Sequence, residues 1–451
     1  MINLFYNMLQ NMSNFFKYFF IFHNFEGTIR KKVLIAISKL IISGSHNLCG
    51  DVRISGSKNS ALPIMAACIM IGGKVIIKNV PDISDVLNMS KILTQLGCRC
   101  EYENGTMEID SSKISKTYTE YECSSKLRAS FLVAGPLLAV FKSAKISLPG
   151  GCSIGQRPVD LHLRGFEALG AKSENGSGYV DISADDLIGT EIYLDFPSVG
   201  ATQNVMMAAC FAKGTTIIAN AAAEPEVADS GNFLNKCGAK IVGAGTDTIK
   251  IEGVTSLKSV TYEIISDRIE AGTFMTAAAA TNGSVFLKNV NSNHLKPIMA
   301  KLGEMGVEFA EEIGGIMVNA KNSLKGVSVR TMPFPGFPTD MQSQFAALMC
   351  KSEGISSVTE TIFENRFMYA GELSRMNAKI RIDGRTAHIE GVKRLCGARV
   401  CACDLRGGAA LVIAGLSAEG KTVIDNAHYI YRGYDDLENK LKNIGADIYS
   451  E

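Results

Sequence analysis

An internal repeat constrains the fold of this chain more than any other feature of its sequence. Six times, a Gly or Asn follows a helix-like segment and precedes a strand-like one. The marker residues are Gly97, Gly170, Gly238, Gly306, Asn377 and Gly445, at steps of 73, 68, 68, 71 and 68 residues. Because Gly and Asn tolerate a left-handed backbone, each marker is predicted to end a helix. The repeat indicates six copies of one mixed α/β unit.

Each repeat also contains a helix rich in alanine and other small residues. These helices are predicted to begin near Ser57, Arg128, Ser198, Arg268, Asp340 and Arg406. A short β-rich run and an amphipathic helix follow each of them. Repeats of this length favour closure around an axis over open-ended stacking, so 451 residues suggest two domains of three repeats.

Composition excludes several classes of protein. The 46 basic residues are balanced by 45 acidic ones, whereas a nucleic-acid-binding protein needs a clear basic excess. The 12 cysteines show no metal-ligand spacing, and in a chain of this size they indicate reduced thiols and therefore a cytosolic protein. No phosphate-binding P-loop or dinucleotide motif occurs, so no nucleotide cofactor is expected.

The first 36 residues differ from the rest in being rich in Phe and Asn. Their apolar run from Tyr18 to Phe22 is far shorter than the roughly 20 residues that span a bilayer, and no small-residue cleavage site follows it. We predict a disordered extension over residues 1–36 and no membrane span. A signal or anchor segment is the alternative.

Polar and charged residues stand at the starts of the small-residue helices. They are Lys58 with Asn59, Arg128, Ser198, Asp267 with Arg268, Asp340, and Asp404 with Arg406. Helix N-termini attract anions, and Lys or Arg strengthens such a site. The alternative for Ser198 and Asp404 is ordinary helix capping. Lys58 and Arg128 oppose the helix dipole, which calls for a compensating anion nearby.

The second repeat carries a longer loop around Cys152, with 25 positions from Lys145 to Gly170 against 23 from Lys74 to Gly97. Three flanking glycines allow the loop to bend sharply, and Arg157 would favour a thiolate or hold an anion. Cys152 is therefore predicted to be reactive, unlike the other cysteines. His162 is either a helix-surface residue or a substrate contact.

Eight motifs occur in the same order as in a known protein family. They are GSKNSALP (56–63), LRAS (127–130), LPGGCSIGQRPVDLH (148–162), SVGAT (198–202), FPTDMQ (337–342), TIFENRFM (361–368), DLRGGA (404–409) and RGYD (432–435). From about Lys39 to the C-terminus the chain resembles the enolpyruvyl transferase family, and in particular its members that act on UDP-N-acetylglucosamine.

The resemblance implies an inside-out α/β barrel of two domains, each with three βαβαββ repeats. One domain would comprise residues 58–265, and the other residues 37–57 together with 266–451. The active site would lie in the cleft between them, with the Cys152 loop acting as a lid. The implied reaction transfers the enolpyruvyl group of phosphoenolpyruvate to the 3-hydroxyl of UDP-N-acetylglucosamine, releases phosphate, needs no cofactor, and begins peptidoglycan precursor synthesis.

The resemblance also implies residue roles. Lys58, Asn59, Arg157 and Arg432 would bind phosphoenolpyruvate, Cys152 would donate a proton and be alkylated by the epoxide fosfomycin, and Asp340 would be the base toward the sugar hydroxyl. The UDP-sugar would contact Arg128, Arg157, Pro158, Val159, Asp160, Leu161, Phe196, Pro197, Ser198, Val199, Asp340 and Ile362. Arg366, Asp404 and Arg406 would support the cleft.

Two alternatives remain at the level of the sequence. The sister transferase that acts on shikimate 3-phosphate would share the barrel but lack the cysteine loop. A non-catalytic UDP-sugar sensor would require the loss of Lys58, Cys152 or Asp340, and all three are present.

Overall fold

The computed structural model describes residues 39–44, 46–121, 127–148, 159–320 and 323–451. The predicted extension 1–36 lies outside these residues. Within them, no helix combines the length and the apolar character needed to cross a membrane.

The described residues form short strands connected by helices of about two to four turns. The strands are β1 (Leu40–Ser43), β2 (Cys49–Arg53), β3 (Lys74–Lys78), β4 (Arg99–Glu103), β5 (Thr106–Asp110), β6 (Ser143–Ser147), β7 (Lys172–Asn175), β8 (Tyr179–Ser183), β9 (Glu191–Tyr193), β10 (Thr215–Ala219), β11 (Lys240–Val242), β12 (Thr248–Glu252), β13 (Thr261–Glu263), β14 (Ser284–Lys288), β15 (Glu308–Glu312), β16 (Gly315–Asn319), β17 (Ser328–Arg330), β18 (Ile355–Thr359), β19 (Lys379–Asp383), β20 (Thr386–Glu390), β21 (Arg399–Cys401), β22 (Lys421–Asp425) and β23 (Asp447–Ser450).

The α-helices are α1 (Lys58–Ala67), α2 (Ser84–Leu96), α3 (Ala134–Phe141), α4 (Asp160–Ala168), α5 (Val199–Ala209), α6 (Pro225–Lys236), α7 (Arg268–Ala280), α8 (Ser292–Glu304), α9 (Gln342–Met349), α10 (Tyr369–Arg375), α11 (Leu405–Ser417) and α12 (Leu437–Asn443). Short 3-10 helices cover Cys68–Ile71, Arg128–Val133, Thr339–Met341 and Ala427–Arg432.

The described strands form six sheets that share one pattern. In the sheet β9–β10–β12–β11, β9 pairs parallel with β10, and β12 pairs antiparallel with β10 and β11. The other four-stranded sheets run β13–β3–β5–β4, β2–β14–β16–β15, β17–β18–β20–β19 and β21–β22–β1–β23. The sixth sheet, β6–β8–β7, has three strands. A parallel bridge between Tyr118 and Lys145 stands where each of the other sheets has its parallel edge strand. One sheet per repeat confirms the six predicted units.

The marker residues have the backbone conformation that the sequence predicted. Their φ angles are 111° at Gly97, 99° at Gly170, 107° at Gly238, 102° at Gly306, 72° at Asn377 and 99° at Gly445. All six follow helices, so the prediction of left-handed helix ends is confirmed.

Buried hydrophobic residues form two clusters. Core A draws on residues 61–264, whereas core B draws on residues 40–54 and 269–448. The small-residue helices lie at the centre of each: every residue of α7 is buried, and α9 packs against α11. Alanine side chains permit this close approach, and a helix that is buried all round needs no polar face.

The chain crosses between the two cores twice, and the crossing segments pair with each other. Ser57 N–H donates to Ile265 O at 2.8 Å, and Asp267 N–H donates to Ser55 O at 2.9 Å. A Cβ at Gly56 would lie 1.7 Å from Asn79 O, so glycine is required there. As a result, β13 pairs within one of the sheets of core A, and β1 and β2 pair within sheets of core B.

Candidate active site

Charged side chains converge where helices of both cores begin. Lys58 is the first residue of α1, Asp340 lies in the 3-10 turn before α9, and Arg406 is the second residue of α11. Arg366 precedes α10, and Arg432 ends the 3-10 turn before α12. The sequence predicted site roles for these five residues, and the structure brings them together.

Asp340 is held between two buried guanidinium groups. Its Oδ1 lies 2.9 Å from Arg366 Nη2, and its Oδ2 lies 3.0 Å from Arg406 Nη2. The Arg side chains are only 3% and 4% exposed, whereas 27% of the Asp340 side chain is exposed. The carboxylate is therefore the part of this group that a ligand can reach.

The surrounding charges keep Asp340 ionised. Burial by itself would raise the pKa of this carboxyl, but Arg406, Arg366 and Lys58 together hold the pKa well below its usual range. A carboxylate base acts well when its pKa is raised or when it is tightly aligned. Arg366 and Arg406 align Asp340, whereas its pKa is lowered.

Asp85 joins two of the three cations predicted to bind phosphoenolpyruvate, Lys58 and Arg432. Its Oδ2 lies 3.4 Å from Lys58 Nζ, and its Oδ1 lies 3.0 Å from Arg432 Nε. Asp85 belongs to the first turn of α2 in core A and is 2% exposed, whereas Arg432 belongs to core B. This carboxylate is the compensating anion that Lys58 required, and it was not predicted from the sequence.

Burial lowers the pKa of Lys58, Asp85 opposes that shift, and Arg406 reinforces it. Lys58, Arg366, Arg406 and Arg432 pair with two carboxylates, Asp85 and Asp340, and Asp267, which accepts from Lys58 N–H and acts on Arg406, adds a third. An excess of positive charge in a partly buried cluster favours a small, multiply charged anion.

Asp267 caps two helices at the crossing. Its Oδ1 accepts from the N–H groups of Ile269 and Glu270 in α7, and its Oδ2 accepts from Lys58 N–H at 3.1 Å. Capping is likewise confirmed elsewhere. Ser198 Oγ accepts from Ala201 N–H at 3.3 Å, and Asp404 Oδ1 accepts from the N–H groups of Arg406 and Gly407.

Apart from Asp340, the described residues that were predicted to contact the UDP-sugar fall into two groups. Val159, Asp160 and Leu161 form the start of α4, and Phe196 to Val199 lead into α5. These two starts adjoin, because the His162 ring lies 3.2 Å from the position of a Cβ on Gly200. Ile362 lies apart on core B, where its N–H donates to Glu360 Oε1 at 2.8 Å.

His162 is built into core A rather than free on a helix surface. Its Nδ1 lies 2.9 Å from Asn204 Nδ2, and its ring meets Phe131 edge-on at 5.1 Å. Because Asn204 Oδ1 accepts from Gly135 N–H, the amide nitrogen faces His162, and the ring must be neutral to accept from it. Burial lowers the pKa of His162 to about 4.

We expect His162 to make the protein less stable in mild acid. The unfolded chain protonates this histidine below about pH 6.5, whereas the folded chain resists protonation down to about pH 4. The free energy of unfolding should therefore fall by about 3 kcal/mol over this interval because of His162 alone. Urea unfolding at several pH values would measure it. In His162→Gln this pH-dependent loss of stability should vanish. In the control His46→Gln, at an exposed residue, it should persist.

Several predicted residues cannot be compared with the structure. Cys152, Arg157 and Pro158 lie outside the described residues, and of Arg128 only the backbone, in the 3-10 turn before α3, is described. Asn59 follows Lys58 in the first turn of α1. Among the described residues, no three His, Cys, Asp or Glu side chains are placed to hold a metal ion.

The fold and the charged cluster correspond to a known family. The sequence profile of EPSP synthase (3-phosphoshikimate 1-carboxyvinyltransferase) matches residues 42–441. The solved enolpyruvyl transferase NikO from Streptomyces tendae superposes with a TM-score of 0.83 at 26% identity, covering 92% of this chain and 99% of that one. EPSP synthase from Acinetobacter baumannii shares the fold, with a TM-score of 0.72 at 19% identity over 92% of this chain and all of that one. The chain belongs to the enolpyruvyl transferase family.

Curated relatives narrow this assignment. UDP-N-acetylglucosamine 1-carboxyvinyltransferase 1 of Caldanaerobacter subterraneus is 53% identical over 91% of this chain and 99% of its own length. UDP-N-acetylglucosamine 1-carboxyvinyltransferase 2 of Clostridium tetani is 53% identical over 92% of this chain and its own full length. Within the family, the chain groups with the UDP-N-acetylglucosamine 1-carboxyvinyltransferases, as the motifs predicted.

Proposed function

We propose that this protein transfers the enolpyruvyl group of phosphoenolpyruvate to the 3-hydroxyl of UDP-N-acetylglucosamine and releases phosphate. The observation that carries the proposal is the cationic cluster around Asp340 and Asp85, in a chain 53% identical to transferases named for this acceptor. Such a reaction supplies a precursor of peptidoglycan in the cytoplasm. No nucleic acid, membrane span or cofactor enters the scheme.

Lys58 and Arg432 would bind the phosphate and carboxylate groups of phosphoenolpyruvate, with Asn59 beside them and Arg157 added from its loop. Phosphoenolpyruvate is small and multiply charged, as the cluster requires. Since Asp85 already pairs with both described cations, the ligand would share their donors with a fixed carboxylate. That arrangement orients the cations before the substrate arrives.

In the chemical step, the 3-hydroxyl oxygen bonds to C2 of phosphoenolpyruvate while a proton is added at C3 and the hydroxyl proton is removed. Loss of phosphate from C2 and of a proton from C3 then restores the double bond. Asp340 would accept the hydroxyl proton, and Cys152 would donate the proton to C3. Fosfomycin, an epoxide, would alkylate the same thiol.

Substrate binding would make Asp340 a better base. Arg406, Arg366 and Lys58 hold the pKa of Asp340 low, which weakens its attraction for a proton. A multiply charged anion beside Lys58 would offset part of this positive field and raise the pKa of Asp340. The two guanidinium groups would meanwhile keep the carboxylate aligned.

The acceptor would lie between the starts of α4 and α5 on one side and Ile362 on the other. Its contacts would be Arg128, Arg157, Pro158, Val159, Asp160, Leu161, Phe196, Pro197, Ser198, Val199, Asp340 and Ile362. Arg366, Asp404 and Arg406 would support them. The exposed ring of Phe196 and the capped N-terminus of α5 suit a sugar nucleotide, which has apolar and anionic parts.

We also propose a domain division at the crossing, with residues 58–265 as one domain and residues 37–57 with 266–451 as the other. The two hydrophobic cores and the paired crossing segments support it. Three sheets around central small-residue helices in each domain support an inside-out α/β barrel.

Phosphate release by the purified protein tests the function. With phosphoenolpyruvate and UDP-N-acetylglucosamine together we expect continuous release, and with either one alone we expect none. Release with shikimate 3-phosphate instead of UDP-N-acetylglucosamine would assign the sister activity. Binding of UDP-N-acetylglucosamine by calorimetry without any release would point to a sensor.

A further inference from the structure

In three repeats, the residue after the second strand contacts the segment that leads into a small-residue helix. In four repeats it is Asn with a left-handed backbone: Asn79, Asn220, Asn289 and Asn426, with φ between 54° and 60°. The first three donate their side-chain amides to Ile264 O, Leu194 O and Ile54 O. These carbonyls lie just before a helix start, so each amide fixes the segment that leads into the helix.

The repeat that contains Asp340 departs from this rule, because Glu360 follows its second strand, β18. Glu360 is fully buried. Its Oε1 accepts from Thr331 Oγ1 at 3.0 Å, from Ile362 N–H at 2.8 Å and from Phe363 N–H at 3.2 Å. A carboxylate accepts hydrogen bonds and cannot donate them, so the polarity of the contact is reversed relative to Asn.

The other oxygen of Glu360 leads directly to the active site. Thr339 Oγ1 donates to Glu360 Oε2 at 2.8 Å and accepts from Arg366 Nη1 at 3.1 Å. Arg366 Nη2 in turn lies 2.9 Å from Asp340 Oδ1. One buried side chain thus connects the backbone at Ile362, where the acceptor is proposed to bind, to the proposed base.

We propose that Glu360 is a positioning residue for the transfer, which fixes the Arg366–Asp340 pair through Thr339 and fixes the backbone of Ile362 directly. This proposal rests on the proposed function, since it assigns a role within that site. The bond pattern requires a carboxylate. Gln at this position would turn an NH2 group toward the Thr339 hydroxyl, which already accepts from Arg366 and would then have no acceptor for its own proton.

The test compares Glu360→Gln, Thr339→Val and Thr339→Ser. Misalignment of about 1 Å can reduce turnover about a hundredfold, and we expect Glu360→Gln and Thr339→Val each to lower kcat by about ten- to a hundredfold. Thr339→Ser keeps the hydroxyl and should retain most of the activity. The double variant Glu360→Gln/Thr339→Val should be little worse than either single variant, because both changes break the same connection.

Two further readouts separate positioning from stability. Calorimetry should show nearly unchanged binding of UDP-N-acetylglucosamine to Glu360→Gln, because the Gln oxygen still accepts from Ile362 N–H, and weaker binding to Glu360→Ala, in which Ile362 N–H loses that acceptor. A disturbed Arg366–Asp340 pair should also raise the pKa of the acid limb of kcat/KM, since Arg366 helps to keep the pKa of Asp340 low. The control Asn235→Ala removes two side-chain hydrogen bonds to the backbone of Ile241, at the end of a helix that carries no proposed site residue. It should lower the melting temperature and leave kcat unchanged.

An active wild type together with unchanged kcat and pH profile in Glu360→Gln would overturn the positioning role while leaving the proposed function intact. Additive losses in the double variant would overturn the connection through Thr339. Wild-type protein that neither releases phosphate nor binds UDP-N-acetylglucosamine would overturn both proposals.

Discussion

Replacing Asp340 by Asn should lower kcat by about 10²- to 10⁴-fold, the usual contribution of a positioned acid or base. Asn has nearly the same shape but cannot take a proton, and its single oxygen can accept from only one of Arg366 and Arg406. The substitution also removes the negative charge between two buried guanidinium groups. An unpaired buried charge costs about 3–5 kcal/mol, so the melting temperature should fall as well.

Steady-state phosphate release and thermal melts would measure both effects. Asp186→Asn is a matched control, because Asp186 also pairs with a cation, Lys213, but does so on the surface. We expect this control to leave kcat and the melting temperature nearly unchanged. Full turnover by Asp340→Asn would remove the base role. A loss of stability with normal kcat would leave Asp340 only as a structural counter-ion.

The pH dependence of the stability effect follows from the lowered pKa of Asp340. A carboxyl group with a depressed folded pKa stabilises the protein above its unfolded pKa of about 3.9, and this stabilisation is lost as the pH falls through the folded pKa. The difference in stability between wild type and Asp340→Asn should therefore be constant above about pH 5 and shrink in stronger acid.

Replacing Lys58 by Gln should lower kcat/KM for phosphoenolpyruvate by about 10²- to 10³-fold, as expected for the loss of one preorganised charge partner. Arg432 would remain beside Asp85, but the cluster would lose one of its four cations. Affinity for UDP-N-acetylglucosamine should change little, since the proposed acceptor contacts lie elsewhere. Initial rates over a range of phosphoenolpyruvate concentrations, together with calorimetry of the acceptor, would measure this split.

Lys58→Arg supplies a sharper comparison. Burial lowers the pKa of Lys58, so kcat/KM should decline on the alkaline side as this amine loses its proton. An arginine stays charged throughout, and that alkaline limb should disappear even if the maximal rate is lower. The control Lys74→Gln removes an exposed partner of Glu108 and should not alter the profile. A similar loss of acceptor affinity in Lys58→Gln would mean that Lys58 does not act selectively on phosphoenolpyruvate.

Local rules predicted the repeat, the helix ends and the members of the charged cluster at helix starts, whereas Arg366 and Arg432 were predicted only through the family resemblance. Gly97 and Asn377 have the residue types that favour left-handed helix ends, and Lys58 and Arg406 stand at helix starts whose polar character is visible in the sequence. In the structure these helix starts, from both cores, lie close together. The helix caps at Ser198 and Asp404 follow from the same local rules.

Asp85 and Glu360 could not be recognised by local rules. Asp85 has the pattern of an ordinary acidic residue in the first turn of an amphipathic helix, and its two cations are distant in sequence. Glu360 was detectable in principle, because alignment of the repeats sets it against Asn79, Asn220, Asn289 and Asn426. The direction of the Asp340 pKa shift required the distances, since burial and three cations act on it in opposite directions.

The double cap formed by Asp267 bears on how the protein could move. Lys58 follows the crossing into core A, yet its backbone N–H is bound by a side chain that belongs to core B. The paired segments around Gly56 and Ser266 are the covalent links between the cores. If one core rotated against the other about these links, atoms far from them would move through long arcs, whereas the backbone of Lys58 would move little. The amine proposed to bind phosphoenolpyruvate would then be a fixed point relative to which the rest of the cleft opens and closes.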